Sequence, residues 1–260
     1  MIKALCKSIA ALLVILLMLM PAGLAMLVGA ERLRKRLVQA TFRSLNAVLG
    51  IHVTLHGTMP EHRPLLMIAN HSSYLDVLVL GGALPVSFTP KREIAGWPLI
   101  GLCAKIAGCV FVERTRAAIS DAHNGITAFL KKGRVMCVFA EGTTNDGTAL
   151  KPFRSALFSV AELPEVMVLP VTLIYQRAGG QALDVAGRRR LAWFGDDALL
   201  PHLWSVLKQG RIDADVVIHS LIDPERPINR KQLCERTETV INDCFVTQTG
   251  AESAHEPTPR

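Results

Sequence analysis

Residues Leu65 to Leu80, LLMIANHSSYLDVLVL, hold an apolar run that stops at Asn70 and His71, place Asp76 five residues after the histidine, and then turn apolar again. Five apolar residues without alternation read as a strand buried on both faces, and a polar insert followed by renewed apolar sequence reads as a turn into a helix. In α/β proteins such a strand end is where reactive groups collect. With a helix starting near Ser72 or Ser73, Asp76 lies in its first turn and its carboxylate folds back towards His71. A carboxylate bonded to one ring nitrogen fixes the tautomer and leaves the other nitrogen free to take a proton. The motif therefore holds a base without a nucleophile, since neither Ser72 nor Ser73 sits in a Gly-x-Ser-x-Gly elbow. Taken alone, Asn70, Ser72 and Asp76 read equally well as helix-start residues beside an incidental histidine.

The rest of the chain repeats the strand-then-helix alternation. Strands are expected at Ile51 to Gly57, Leu65 to Ala69, Val86 to Ile94, Gly108 to Arg114, Val135 to Thr144, Val166 to Tyr175 and Asp215 to Ser220. Helices are expected at 31–50, over VLVLGGAL beyond Asp76, over WPLIGLCAKIAG, at 117–132, 153–163, 199–208 and 229–246, with a polar excursion through Gly179 to Arg190. This pattern gives an α/β fold, a mostly parallel or mixed sheet flanked by helices, with an N-terminal membrane-embedded helical element. The expected division is 1–48 for the membrane element and a basic amphipathic helix, 49–246 for the catalytic domain and 247–260 for a disordered tail.

The membrane element follows from 23 residues without a formal charge, Ser8 to Ala30, enough to cross a hydrocarbon core as a helix. Pro21 and Gly23 interrupt it, so a kinked span and a helix pair resting in one leaflet both fit. A cleaved signal peptide is the competing reading, opposed by the basic cluster Arg32, Arg34, Lys35 and Arg36 that follows directly. That cluster outweighs Lys3 and Lys7, which puts the bulk of the chain on the cytoplasmic face of an inner membrane. The net charge of +7 suits an anionic partner, either lipid headgroups or an acidic carrier protein. Nucleic acid is excluded as a partner, because aromatics make up only 5% and no basic run is interleaved with them. Six cysteines without a CxxC pair read as reduced packing residues, and no metal site or bound cofactor is expected.

Apolar strands repeatedly end in polar groups: Asn70-His71, then Glu113-Arg114, then Glu141-Gly142-Thr143-Thr144, with Lys91 and Arg92 joining from a loop. Gathered on one sheet edge, a His/Asp pair, several cations and a Gly/Thr loop suit proton abstraction from a hydroxyl beside an anionic group. Each member has a plain alternative: Glu113 and Arg114 as solvated strand ends, EGTTNDG as a turn, Lys91 and Arg92 as a surface pair.

In order and spacing, Asn70-His71-x4-Asp76, GCVFVER, FAEGTTNDG and VMVLPVTL resemble the four blocks of the glycerolipid acyltransferases, over about Ile51 to Tyr175. The resemblance implies that His71 is the general base for the free hydroxyl of a lysolipid and that Asp76 orients it. It implies that Lys91, Arg114, Glu141, Gly142, Thr143 and Thr144 bind the acceptor and that Val168 to Val171 line the acyl side. Acyl-CoA or acyl carrier protein is the implied co-substrate, and 1-acyl-sn-glycerol-3-phosphate the first acceptor, giving phosphatidic acid. In that family the third block usually reads Phe-Pro-Glu-Gly-Thr-Arg; Ala140 and Thr144 depart from it here. Loss of the arginine removes a bidentate phosphate partner. The EGTT block is similar to that of relatives acylating lyso-ornithine lipid or other lysophospholipids, the alternative acceptors, and Arg154 is a candidate for the missing charge. A non-catalytic lipid-binding protein is the rival of another class, disfavoured by the presence of both His71 and Asp76.

Overall fold

The computed structural model describes residues 1–113, 119–163, 165–224 and 229–250. Its centre is β2 (Leu65–Ala69), all five residues buried. β4 (Val135–Phe139) and β5 (Met167–Ala178) run parallel to it on either side. β3 (Ser87–Phe88) extends the parallel part beyond β4. On the other flank β7 (Ile212–Ile218) is antiparallel to β5, and β1 (Ile51–His56) lies parallel to β7. A two-residue β6 (Gln181–Ala182) folds back on the end of β5, so the sheet is mixed, ordered β1-β7-β5-β2-β4-β3.

Alternate residues of β2 feed two apolar cores. Leu65, Met67 and Ala69 join Leu75, Val79 and Leu80 of α3 (Leu75–Ala83), whereas Leu66 and Ile68 join Leu130 of α5 (Ile119–Leu130), Phe158, and Ile241 and Phe245 of α8 (Arg230–Thr249). Burying each such large side chain is worth about 1.5–3 kcal/mol, which explains why a strand covered on both faces is continuously apolar.

The helical hairpin of α1 (Ile2–Leu27) and α2 (Glu31–Leu49) covers the first core. α3 approaches α2 closely at Gly81, where a Cβ would stand 2.6 Å from the Phe42 ring. α1 runs unbroken through Pro21 and is long and apolar enough to cross a membrane by length and composition. It nevertheless lies along the domain. Near its start Lys7 Nζ donates to the carbonyls of Leu49 (2.8 Å) and Gln209 (3.2 Å). Near its end a Cβ on Gly23 would lie 3.4 Å from Ile106 of α4 (Ile100–Ala107). Gln209 itself follows α7 (Leu199–Lys208). Of the basic cluster, Arg32, Lys35 and Arg36 are exposed, but Arg34 is buried, paired with Glu31 and donating to the Ile106 carbonyl.

Five expectations change. Of the strand expected at Val86 to Ile94 only Ser87–Phe88 forms, and Arg92–Gly96 is 3-10 helical. Gly108 to Glu113 is not a regular strand: Val110 and Val112 donate to the carbonyls of Phe88 and Pro90, leaving one bridge, Lys91 to Val112. Pro90 has no N–H to continue the ladder. The segment Ser155–Glu162 is 3-10, not α, helical, which puts Phe158 and Ala161, three apart, on one buried side. Within the expected polar excursion, α6 (Val185–Leu191) forms, capped by the Asp184 side chain accepting from Gly187 N–H at 2.7 Å. α8 continues to Thr249, past the expected boundary at 246, and the remaining tail, 251–260, lies outside the described residues.

Candidate active site

In register, Ala69 of β2 faces Phe139 of β4 and Val171 of β5, so the polar residues that follow each strand emerge together at the carboxyl edge. Asn70 closes the ladder where β2 leaves the sheet. Its amide donates to the Leu173 carbonyl and accepts from Leu173 N–H, both at 2.8 Å, imitating the next strand residue. The chain then turns, and α3 begins at Leu75 with Asp76 in its first turn.

His71 Nδ1 lies 2.8 Å from Asp76 Oδ2. The same oxygen accepts the backbone N–H groups of Ser72 (2.7 Å) and Ser73 (2.9 Å). Asp76 Oδ1 accepts the Tyr175 hydroxyl at 2.8 Å. Asp76 is fully buried and its carboxylate is held by four donors, which offset the cost of burying its charge. Burial, and then the Asp76 charge, pushes the Tyr175 phenol well above its ordinary pKa, so it stays a donor. The His71 ring lies flat on Phe139, with centroids 3.8 Å apart and planes at 9°, and its side chain keeps 14% exposure. With Nδ1–H committed to Asp76, Nε2 is the atom that can take a proton. Among the described residues no serine or cysteine side chain bonds to His71.

The turn is held from a second side by the loop after β4. Glu141 Oε1 accepts His71 N–H at 2.7 Å, and Asn145 N–H donates to the His71 carbonyl at 2.8 Å. Glu141 Oε2 accepts the Asn145 amide (2.7 Å) and Lys151 N–H (2.8 Å). Burial pushes the Glu141 carboxyl up to about 7, against the opposing effect of those three donors. A third brace comes from the segment after α6, where Trp193 N–H donates to the Ser72 carbonyl at 2.8 Å.

The other residues expected to bind the acceptor divide. Thr143 is exposed, whereas Gly142 and Thr144 are buried, and the Thr144 carbonyl accepts Lys151 Nζ at 2.8 Å. Glu141 is 2% exposed, and with both oxygens engaged it holds the His71 turn. Lys91 is exposed at the sheet edge, where its backbone bridges Val112. Arg114 lies outside the described residues. Val168 and Val171 are fully buried on β5. No cluster of metal-ligating side chains forms among the described residues.

Sequence reasoning passed over Tyr175, Phe139 and Asn145. Tyr175 did carry a signal, since a tyrosine closing an otherwise apolar strand needs a partner for its hydroxyl. Phe139 carried none, because stacking on His71 depends on the register of two strands distant in sequence.

Comparison with known proteins follows the same residues. Residues 50–174 match the family model described as Acyltransferase. The chain is 32% identical, over 98% of its length and 91% of the relative's, to a lyso-ornithine lipid O-acyltransferase of Rhizobium meliloti. It is 31% identical to a 1-acyl-sn-glycerol-3-phosphate acyltransferase of Neisseria gonorrhoeae, over 82% of both chains. Its fold is that of the 1-acyl-sn-glycerophosphate (LPA) acyltransferase PlsC from Thermotoga maritima, with a TM-score of 0.69, 19% identity, and 95% and 94% of the two chains covered. A half-buried histidine held by a buried carboxylate at the carboxyl edge of a mixed sheet, in a chain so related, places this protein in the Acyltransferase family, as an enzyme acting on lysolipids.

Proposed function

We propose that this enzyme moves a fatty acyl group from a thioester donor to the free hydroxyl of a lyso-ornithine-type lysolipid. The carrying observation is a histidine with one nitrogen fixed by a buried carboxylate and, among the described residues, the other nitrogen free and no nucleophilic side chain bonded to it. Such a group suits direct transfer. His71 Nε2 takes the hydroxyl proton as the oxygen attacks the thioester carbonyl; the tetrahedral adduct expels the thiolate, which recovers the proton from His71. Asp76 keeps the tautomer and balances the imidazolium formed on the way. Thr143 and Lys91 are read as contacts to the acceptor.

Two observations support the lyso-ornithine acceptor. The relatives from Rhizobium meliloti and Brucella abortus, 32% and 34% identical over nine-tenths or more of this chain, carry that activity in their names. Thr144 is neutral and buried, so it supplies no charge for a phosphate monoester. Lysophosphatidic acid is the second reading, favoured by the Neisseria relative. As to location, α1 presents exposed Leu5, Leu12, Leu16 and Met20, with Arg32, Lys35 and Arg36 beyond its end. Because the helix lies along the domain, its exposed apolar side chains suit embedding in the cytoplasmic leaflet of the inner membrane.

The test supplies purified enzyme with acyl-CoA or acyl carrier protein thioester against lyso-ornithine lipid, lysophosphatidic acid and lysophosphatidylethanolamine. Turnover is expected to be fastest with lyso-ornithine lipid. A preference for lysophosphatidic acid would replace the acceptor, and free fatty acid released without any acceptor would replace the reaction.

A further inference from the structure

We infer that Arg154 binds the anionic group of the lysolipid headgroup and sets which acceptor is taken, an inference that rests on the acyl-transfer reading above. The loop that leaves β4 at Ala140 returns to it at Arg154, whose backbone N–H donates to the Ala140 carbonyl at 2.9 Å. This return brings the guanidinium over the Gly142 Cα. A Cβ there would stand 2.6 Å from Arg154 Nε and 2.9 Å from Cζ. Gly142 also has φ of 74°, a left-handed backbone that favours glycine. One glycine thus serves both the turn and the close seat of the cation, next to the Glu141 that holds the His71 backbone.

The other cations of this loop and of α6 that lie nearby are already committed. Lys151 Nζ donates to the Thr144 carbonyl, Arg188 to the Tyr175 carbonyl, and Arg189 pairs with Asp146 at 2.8 Å. Arg154 is exposed and forms no ion pair or side-chain hydrogen bond among the described residues. A guanidinium fork on a fixed backbone, solvent-facing and beside the turn carrying the base, is suited to a pair of oxyanion oxygens. A headgroup carboxylate and the oxygens of a phosphate ester both provide them. Because Arg154 follows the loop and not the His71 turn, its contribution falls on acceptor binding, and the proton transfer itself is left to His71.

The test is steady-state kinetics of wild type, Arg154→Gln and Arg154→Lys, with lyso-ornithine lipid and with its carboxamide analogue, in which the carboxylate is neutral. For Arg154→Gln the acceptor KM is expected to rise about 10- to 100-fold, the loss typical of a charge-assisted hydrogen bond. The donor KM and the melting temperature should hold, and Arg154→Lys should recover part of the loss. Wild type should lose a similar factor on the carboxamide, and Arg154→Gln should no longer distinguish the two acceptors. An unchanged acceptor KM, or equal losses on both acceptors, overturns the role of Arg154. Failure of wild type to use lyso-ornithine lipid overturns the acceptor reading instead. The same variants are then compared on lysophosphatidic acid and its phosphate methyl ester, where unchanged discrimination overturns the role of Arg154. Wild type inert on every acceptor overturns both.

Discussion

The turn after β2 and the loop after β4 stand side by side at one sheet edge, yet they are built in opposite ways. In the first, every polar group except one face of His71 is turned inward: Asp76 takes four donors, and Asn70 closes the strand ladder. In the second, Glu141, Thr144 and Asn145 are buried, whereas Thr143 and Arg154 face outward. The difference teaches where chemistry and selection are separated. A base must be held in one tautomer and orientation, which internal hydrogen bonds achieve. A headgroup contact needs exposed groups, and these can vary without disturbing the base.

The largest expected effect breaks the first region alone. His71→Ala should lower acyl transfer by about 10²- to 10⁴-fold, the usual contribution of a general base, with the melting temperature close to wild type because the side chain is partly exposed. Substantial turnover by a folded His71→Ala would remove the base from the mechanism. Asp76→Asn should cost about 10²-fold or more, since an amide can present its N–H to Nδ1 and favour the wrong tautomer. It should also lower stability, because Ser72 and Ser73 N–H groups lose a charged acceptor, and thermal denaturation reads that component separately.

Tyr175→Phe sharpens the comparison from within the buried network. It leaves Asp76 Oδ1 without its hydroxyl donor, which should cost about 1–3 kcal/mol of stability, measured by denaturant titration, and reduce kcat more than the acceptor KM. An effect on KM alone would mean that Tyr175 belongs to acceptor selection, contrary to its burial and its bond to Asp76.

The effect furthest from turnover is a pH dependence at the joint between the two regions. Because burial raises the Glu141 carboxyl from 4.5 to about 7, the folded chain binds more protons than the unfolded chain in that interval. Its contribution is fully present below about pH 4.5, falls as pH rises towards 7, and is level above. The stability difference between wild type and Glu141→Gln should therefore shrink by about 3 kcal/mol across that range, read from denaturant titrations at several pH values. A difference that stays flat or grows with pH would mean that the three N–H donors outweigh burial at Glu141.

Much of this molecule was legible in its residues because the relevant physics is local. Continuous apolar runs marked β2, β4 and β5, the His71 to Asp76 spacing fitted one turn into α3, and the chargeless N-terminal run marked α1. Errors fell where a neighbour decided: Pro90 in the adjoining edge broke the strand at Gly108 to Glu113, and the Asp184 cap turned an arginine-rich stretch into a helix.

By itself, then, the sequence determined the alternation of elements, the base with its carboxylate, and the absence of a nucleophile in their motif, because each depends on spacing within one segment. Only the tertiary structure decided that Tyr175 holds Asp76 from 99 positions away, that Glu141 serves the His71 backbone, and that Arg34 is buried while Arg154 stays exposed. Those outcomes depend on strand register and on burial. Residue type says that a carboxylate or guanidinium must be solvated or partnered, but the packed neighbours choose which.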